Sequence, residues 1–427
     1  MPKRNVLTSV AWQVAPLIVL PSRRLLVAAA VLAMLMGPLQ AAPRIAPIPA
    51  SQWSERQRQI ASEFATQGEV GNVVATLLHH PTLAANVLPY QRYATHESTL
   101  PPRHRAMLNL RTAWLTRSDY LWAEQARAAR RAGLTSVELR RIAEGPEALA
   151  WDSFEATLLR AADELHVDSF LPDATWDALA ARYDLDQMVD VVYGIGHLTM
   201  LAGVLNSLGV ELDAALTDRR PYGIPYTVSA AWTNERLIGK AARIPPLEPD
   251  EWTPELRQRF DPTGSGRHVA NVFRTFVRNP PADRLRGLVS RHILNEATLP
   301  ELDRELLLMR IGVLCRSEYE WAAHSRLGRR LGMSDADVER IIAGPQHGGD
   351  SLETALLRAT DELYRDDRVS EETWTALAAS LGTQQLLDML IAVGGYRAAS
   401  MAINTAGVQL DPNMAEFRFP PQLRGPR

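Results

Sequence analysis

The sequence predicts an all-α fold that consists of two similar helical units. Apolar residues recur three and four positions apart, as at Leu158, Ala162 and Leu165, which places them on one face of a helix. Short runs with the alternating pattern of β-strands are absent from the sequence. Because the helical pattern occurs twice in the chain, a duplicated domain is the simplest architecture.

Residues 1–42 have the order of features that is typical of an export signal. They contain no acidic residue, and Arg23 and Arg24 precede an apolar run from Leu25 to Met36. This run is shorter than the roughly 20 residues that span a bilayer as a helix. The arginine pair also fits a twin-arginine signal. We therefore predict an exported protein, periplasmic or secreted, with no stable membrane span after signal removal; an uncleaved anchor or a start codon placed too far upstream is the alternative.

The rest of the chain repeats itself with an offset of 199 residues, which becomes 198 after one deletion. Residues 154–165 and 352–363 are identical at 8 of 12 positions. Each unit of about 170 residues is too long for a solenoid repeat, and two such units most simply pack about a pseudo-twofold axis. The predicted division is a first domain at 43–216, a linker at 217–242, a second domain at 243–415 and a tail at 416–427.

Charge and cysteine content exclude several classes of protein. Lys and Arg total 46 and Asp and Glu total 49, and this mildly acidic balance argues against nucleic-acid binding. The single cysteine, Cys315, excludes an intrachain disulfide, a CxxC pair and a cysteine zinc site, although a bridge between two chains stays open. His79, His80 and His104 have no metal-ligand partners at a useful spacing, so we predict no metal and no cofactor. His197 is expected to be packed in the core, although a place in the lining of a first-unit pocket near Tyr193 stays open.

The stretch from Glu301 to Met333 carries the best candidate for chemistry. It reads as an apolar helix, a break, and an amphipathic helix in which Glu320 and His324 are four residues apart. Side chains at this spacing lie one turn apart on the same face. The first unit has the same architecture, but Leu121 and Gln125 occupy the matching positions. We therefore expect one reactive site, in the second unit.

Several short motifs of the second unit recur in one known superfamily. They are the run from Arg304 to Leu307 with Arg310, the run from Glu318 to Trp321 with His324, then Gly332, and the turn at Gly344-Pro345. On these motifs the chain resembles the carboxymuconolactone decarboxylase and alkyl hydroperoxidase D superfamily, in two copies over nearly all of residues 44–415. The resemblance implies two alkyl hydroperoxidase D-like helical domains that form a pseudo-dimer within the chain.

The resemblance also implies which chemistry is absent. The hydroperoxidase branch uses two cysteines and a histidine near the start of one helix, with a glutamate from the preceding helix. Here His324 stands at the histidine position and Glu305 at the glutamate position, while Ser317 and Glu320 replace the two cysteines. Because a serine and a carboxylate cannot cycle through a disulfide, a peroxidase of that kind is excluded.

What remains resembles the decarboxylase branch, which removes a carboxylate from an unsaturated lactone and shifts the double bond. Loss of carbon dioxide leaves a dienolate, which needs hydrogen-bond donors and then a proton at carbon. The resemblance implies His324 as the general acid, with Glu305 or Glu320 orienting it or shuttling a proton. We expect a carboxy-lyase-like, cofactor-free enzyme that acts on a small carboxylated lactone or keto acid.

Arg310, Arg326 and Ser317 are the predicted substrate-binding residues. A guanidinium is planar and matches the two oxygens of a carboxylate. The first unit has Arg111 and Arg127 at the matching positions, so a structural role for both arginines stays open.

The candidate catalytic residues also have non-catalytic interpretations. Ser317 and Glu320 could form a capping box at a helix start. Glu305 could lie on a salt-bridged face, and His324 could be a packed, hydrogen-bonded histidine. In that case the protein would be a non-catalytic binding or scaffold protein whose site has decayed, as Ala106 at the position of Glu305 already illustrates. A homo-oligomer stays open.

Overall fold

The protein is all-α over the part of the chain that the structure describes. The computed structural model describes residues 42–427 except for 66–67, 231–232, 234–235, 346–350, 421–422 and 424–427. The export signal predicted for residues 1–42 therefore lies outside the described residues, apart from Ala42. Within the described residues there are eighteen α-helices and no β-strand, which confirms the predicted fold class.

The two halves have the same order of helices. In the first half the helices are α1 Glu55–Phe64, α2 Asn72–Leu77, α3 Pro81–Arg92, α4 Pro102–Leu115, α5 Asp119–Arg131, α6 Ser136–Glu144, α7 Ser153–Asp168, α8 Asp173–Ala180 and α9 Leu185–Leu208. In the second half they are α10 Pro254–Phe260, α11 Asn271–Phe276, α12 Pro280–Arg291, α13 Glu301–Leu314, α14 Glu318–Arg330, α15 Asp335–Ala343, α16 Leu352–Asp366, α17 Glu371–Ala378 and α18 Thr383–Ala406.

Matching helices also agree in length. α4 and α13 both have 14 residues, α5 and α14 both have 13, and α9 and α18 both have 24. A π-helical turn follows α3 at Tyr93–Glu97 and α12 at His292–Glu296. Three short 3-10 helices complete the described secondary structure: Ala50–Gln52, Pro249–Glu251 and Pro412–Phe417.

α9 and α18 form the central contact between the halves. A Cβ atom on Gly196 would lie 2.8 Å from the Cβ of Ala398, and one on Gly394 would lie 2.7 Å from the Cγ of Met200. These glycines therefore permit a close helix crossing. With the offset of 198, Gly196 matches Gly394 and Met200 matches Ala398, so each contact is the mirror of the other. This reciprocity is the property of a twofold interface.

Hydrogen bonds between the halves have the same reciprocity. The amide of Asn404 donates to the carbonyl oxygens of Cys315 (3.0 Å) and Ser169 (3.2 Å). Its counterpart Asn206 donates to the carbonyl oxygens of Thr116 (2.8 Å) and Asp367 (3.1 Å). Each asparagine thus binds one group in its own half and one in the other. The chain therefore forms the intrachain pseudo-dimer that the sequence predicts.

α9 and α18 are also long and apolar enough to span a membrane by length and composition. However, 94% of the most apolar window of α9 and 78% of that of α18 are buried inside the protein. We therefore interpret both as core helices of the pseudo-dimer, the part of the fold that the two halves share.

Candidate active site

α13 and α14 carry the predicted catalytic residues and pack against each other. The chain breaks between them at Arg316, whose φ of 53° lies in the left-handed region, and Arg117 has the same φ at the matching turn of the first half. A Cβ atom on Gly312 would lie 3.3 Å from the backbone nitrogen of Trp321, so the glycine keeps the two helices close. This turn sets Glu305 of α13 opposite α14.

The structure brings Glu305, Glu320 and His324 together. His324 Nδ1 lies 2.7 Å from a carboxylate oxygen of Glu305, and His324 Nε2 lies 3.4 Å from one of Glu320. The other oxygen of Glu305 accepts a hydrogen bond from Arg304 Nε at 3.0 Å. All four side chains are buried. We call Arg304, Glu305, Glu320 and His324 the His324 cluster.

Electrostatics keep the cluster charged. Burial alone would lower the pKa of His324, but the hydrogen bonds and charges of Glu305 and Glu320 outweigh it and raise the pKa to about 9. Burial would likewise raise the pKa of Glu305, but the bonds and charges of His324 and Arg304 hold it below its usual value. His324 is therefore an imidazolium at neutral pH. Two cations and two anions then alternate through the cluster, and their charges cancel.

Tyr396 of α18 completes the surroundings of His324. Its ring meets the imidazole edge-on, with the ring centroids 4.8 Å apart. Burial raises the pKa of Tyr396 well above its usual value, so its hydroxyl stays protonated. Tyr396 was not predicted as a site residue, and Arg304 was named only as the first residue of a family motif. The matching first-half residue Leu198 is apolar, so comparison of the two halves could have indicated Tyr396.

Comparison with known proteins agrees with the duplication. The carboxymuconolactone decarboxylase family matches the chain twice, at residues 81–164 and 282–362. The chain contains two carboxymuconolactone decarboxylase family domains. No curated protein and no solved structure matches the chain significantly.

The first carboxymuconolactone decarboxylase domain has an open pocket where the second has the His324 cluster. A cavity of about 150 Å³ is lined there by Ala106, Gln125, Asn109 and Thr95, among others. Asn109 donates a hydrogen bond to the side-chain oxygen of Gln125 at 3.1 Å. Ala106, Leu121 and Gln125 thus replace Glu305, Glu320 and His324, so the histidine–carboxylate contacts of the second domain are missing from the first.

Arg310 is tied to the scaffold of the second carboxymuconolactone decarboxylase domain. Its guanidinium binds both carboxylate oxygens of Asp361, at 2.6 and 2.7 Å, and donates to the carbonyl oxygens of Ile341 and Ile342. Arg111 makes the same set of contacts in the first domain, with Asp163 as its carboxylate. The expectation that Arg310 holds a substrate carboxylate does not fit this structure, because four of its five N–H groups are already bound to Asp361, Ile341 and Ile342.

The same arginine explains one motif of the family. A Cβ atom on Gly344 would lie 2.4 Å from the Nη2 atom of Arg310, so a side chain there would displace the guanidinium. Gly344 also has a φ of 81°, which glycine adopts without strain. The turn at Gly344-Pro345 is therefore required by the buried ion pair.

Arg326 and Ser317 lie on the same helix as His324 but outside its cluster. Arg326 is half-buried, and its Nε has no hydrogen-bond partner among the described residues. Ser317 is buried at the N-cap of α14, and its Oγ likewise lacks a partner within the described part of the chain. The capping box of Ser317 and Glu320 is therefore wrong, and Glu320 lies beside His324 instead. Substrate binding by Ser317 and Arg326 stays a prediction.

One group of described residues has the geometry for a metal ion. Possible ligand atoms of His80, His292 and Asp388 lie within 4.8 Å of one another, and all three residues are buried. His80 belongs to the first half, so the spacing argument from sequence overlooked it. However, the Asp388 carboxylate lies 2.7 Å from His292 Nε2 and 3.2 Å from His80 Nε2, and it accepts two hydrogen bonds from Thr298. We interpret this group as a hydrogen-bond network that joins the halves.

Proposed function

We propose that the second domain catalyses decarboxylation or proton transfer on a small carboxylated lactone or keto acid, without a cofactor. The observation that supports the proposal most is the buried contact of His324 with both Glu305 and Glu320. Two carboxylates keep a proton on an imidazole that burial alone would discharge. His324 therefore carries a proton at neutral pH, as a general acid must before it can protonate a substrate.

The two ring nitrogens of His324 have different roles in this proposal. Nδ1 is hydrogen-bonded to Glu305 at 2.7 Å, which orients the ring and stabilises the imidazolium. Nε2 is held less tightly, 3.4 Å from Glu320, and carries the proton that is delivered. Arg304 binds Glu305 from the other side and keeps it ionised. Glu320 can take up or return the mobile proton at Nε2.

The reaction that these groups fit is a decarboxylation with proton delivery to carbon. The bond between the carboxylate and its neighbouring carbon breaks, and its electron pair passes into the adjoining carbonyl or unsaturated system. Carbon dioxide leaves, and His324 protonates the carbanionic carbon. The imidazole then recovers a proton from solvent, so one proton is consumed per turnover. In a proton shift without loss of carbon dioxide, Glu320 removes a proton from one carbon and His324 delivers one to another, so no net proton is consumed.

The test is proton NMR in deuterated water with a panel of small lactone and keto acids. Loss of carboxylate and incorporation of deuterium at carbon detect both versions of the reaction. His324→Gln, which copies Gln125 of the first half, should lower the rate about 10²- to 10⁴-fold, the usual contribution of a general acid. His96→Gln removes an exposed histidine outside the cluster and should leave the rate unchanged. A rate that survives in His324→Gln would overturn the assignment.

The alternative function is a non-catalytic binding or scaffold protein. It is favoured by the balance of charges in the His324 cluster, because such a network also stabilises a fold without any reaction. If no acid on the panel is converted and His324→Gln only lowers the stability, the scaffold function is the better description. Cys315 is completely buried, which argues against a third use of the chain through a disulfide between two molecules.

We also propose that the protein acts outside the cytoplasm, on the basis of the export-signal pattern of residues 1–42. The test compares the full chain with a chain that begins at Pro43 in a bacterial host. The full chain should appear in the periplasm or the medium, and the shorter chain in the cytoplasm. Retention of both in the cytoplasm would contradict the proposal.

A further inference from the structure

A small cavity lies at the junction of the two halves, and Tyr396, which meets His324, is one of the residues that line it. It has a volume of about 30 Å³. Tyr90 of α3 and Tyr193 and His197 of α9 line it from the first half, and Arg286 of α12 and Tyr396 of α18 line it from the second. It is therefore built by both domains, and it is separate from the His324 cluster.

Polar atoms without partners converge on this cavity. The hydroxyls of Tyr90 and Tyr193, both ring nitrogens of His197 and the Nε of Arg286 are buried, and none has a hydrogen-bond partner in the described part of the chain. Tyr90, Tyr193 and His197 are 5%, 3% and 1% exposed. Native proteins rarely leave such atoms unpaired, because each costs free energy. Five of them around one cavity indicate that it holds polar groups that pair with them, either water or a polar ligand.

The cavity carries positive charge. Arg286 donates a hydrogen bond to Asp283 at 2.7 Å, but the same carboxylate also accepts one from Arg259 at 2.7 Å. One anion thus serves two cations. None of the described residues that line the cavity is acidic. Arg286 therefore shares its counter-ion with Arg259 and is the charged side chain among the described residues that line the cavity, which favours an anion there.

The remaining groups act as hydrogen-bond donors. Burial raises the pKa of Tyr90 and Tyr193 well above the usual value, so both hydroxyls keep their protons. Burial also lowers the pKa of His197 to about 3, so its ring is neutral and one nitrogen bears a hydrogen. The two hydroxyls, the one N–H of His197 and the Nε–H of Arg286 make four hydrogen-bond donors. A carboxylate has two oxygens with about four acceptor sites and matches this set.

The two halves differ in the residues that make the site polar. The positions that match Tyr90, Tyr193 and His197 hold Val289, Ile391 and Gly395 in the second half. A purely structural core about a pseudo-twofold axis needs no such difference between its halves. Tyr90 and His197 are also nearly stacked, with ring centroids 4.3 Å apart, which fixes the orientation of the imidazole.

We propose that this cavity binds a small carboxylate, with Arg286 as the counter-charge and Tyr90, Tyr193 and His197 as neutral hydrogen-bonding partners. A volume of 30 Å³ is room for about two water-sized groups, so the ligand part inside is of the size of formate. The site does not depend on catalysis by His324. Since Tyr396 touches both the cavity and His324, the carboxylate is either a free small acid or one end of a larger substrate.

The test measures the midpoint of thermal unfolding in formate, acetate, pyruvate and larger lactone acids, each against sodium chloride of equal ionic strength. A ligand that binds only the folded protein raises the midpoint by mass action. Formate or acetate should raise it, Arg286→Gln should abolish the increase, and Tyr193→Phe should weaken binding by about tenfold. Arg284→Gln, an exposed arginine on the same helix, is the matched control and should keep the full increase.

Each outcome decides between the proposals. If no acid exceeds chloride, or if Arg286→Gln keeps the increase, the carboxylate site is overturned. If Arg286→Gln does not fold, the double variant Tyr90→Phe and Tyr193→Phe takes its place. It should lose the increase in the unfolding midpoint, and an increase that it keeps would overturn the site. His324→Gln should keep the increase even if it destroys turnover, and its loss would assign the ligand to the His324 cluster instead. Binding of small acids alone identifies a free ligand; binding of the larger acids as well identifies one end of the substrate.

Discussion

The ionisation of His324 makes a quantitative prediction for the stability of the protein against pH. The folded pKa is about 9, whereas the ordinary value is 6.5. Because folding raises the pKa, the stabilisation is fully present below pH 6.5 and is lost as the pH rises through 9. A shift of this size corresponds to about 3–4 kcal/mol, because one pH unit is worth ~1.4 kcal/mol.

The perturbation is His324→Gln, and the assay is urea unfolding of parent and variant between pH 5.5 and 9.5. The free energy of unfolding of the parent should exceed that of the variant by a margin that shrinks by about 3–4 kcal/mol as the pH rises from 6.5 to above 9. Groups that titrate alike in both proteins cancel in this difference.

His96→Gln is the control for this experiment. Burial and the charges of Arg105 and Arg131 lower the pKa of His96, so its own contribution changes only below pH 6.5. The difference in the free energy of unfolding between His96→Gln and the parent should therefore be constant above pH 6.5. If the difference for His324→Gln is constant there as well, His324 is not held as an imidazolium, and the reasoning behind the active site fails.

Other variants test the scaffold. Arg111→Gln should lower the free energy of unfolding in urea by about 3–5 kcal/mol, as expected for breaking a buried ion pair. Arg310→Gln should lower it by less, because the side chain of its partner Asp361 is 21% exposed, whereas that of Asp163, the partner of Arg111, is 0% exposed. Equal costs would contradict this order. Gly394→Ala should lose about 1–3 kcal/mol through overpacking, whereas Gly194→Ala, with nothing within 4 Å, should be tolerated. A chelator should leave the melting midpoint unchanged if Asp388 serves hydrogen bonds; stabilisation by added zinc would contradict that interpretation.

The sequence predicted those parts of the site that depend on local spacing. Glu320 and His324 come together because residues four apart on a helix share a face, and Glu305 follows from its position in the family motif. The capping box is not formed: Glu320 lies against His324, a partner on the same helix, and the Oγ of Ser317 has no hydrogen-bond partner among the described residues. Spacing along the helix allows the Glu320 carboxylate to bind either the N-cap at Ser317 or the His324 side chain, and it could not decide between them.

Tertiary partners explain the other differences. Arg310 was expected to bind substrate, yet it binds Asp361, which is 51 residues away in the chain. The presence of an arginine in both halves was the available clue to a structural role. His80 approaches Asp388 from the other half of the molecule, so no spacing rule within one motif could connect them. For His197 the sequence left a pocket near Tyr193 open, but packing was preferred because an apolar segment predicts only that its residues are buried.

The reciprocal contacts of α9 and α18 have a consequence for how such a protein can change. In a dimer of identical chains every substitution enters both subunits, so a cavity on the symmetry axis must be lined by two copies of the same residues. A tandem chain is free of this constraint while it keeps the same interface. His324 could then be retained on one side and exchanged for Gln125 on the other, and Tyr90 and His197 could face Arg286 without a second set opposite. When both halves belong to one chain, the same twofold interface can therefore hold two different sites, the His324 cluster and the cavity beside Arg286.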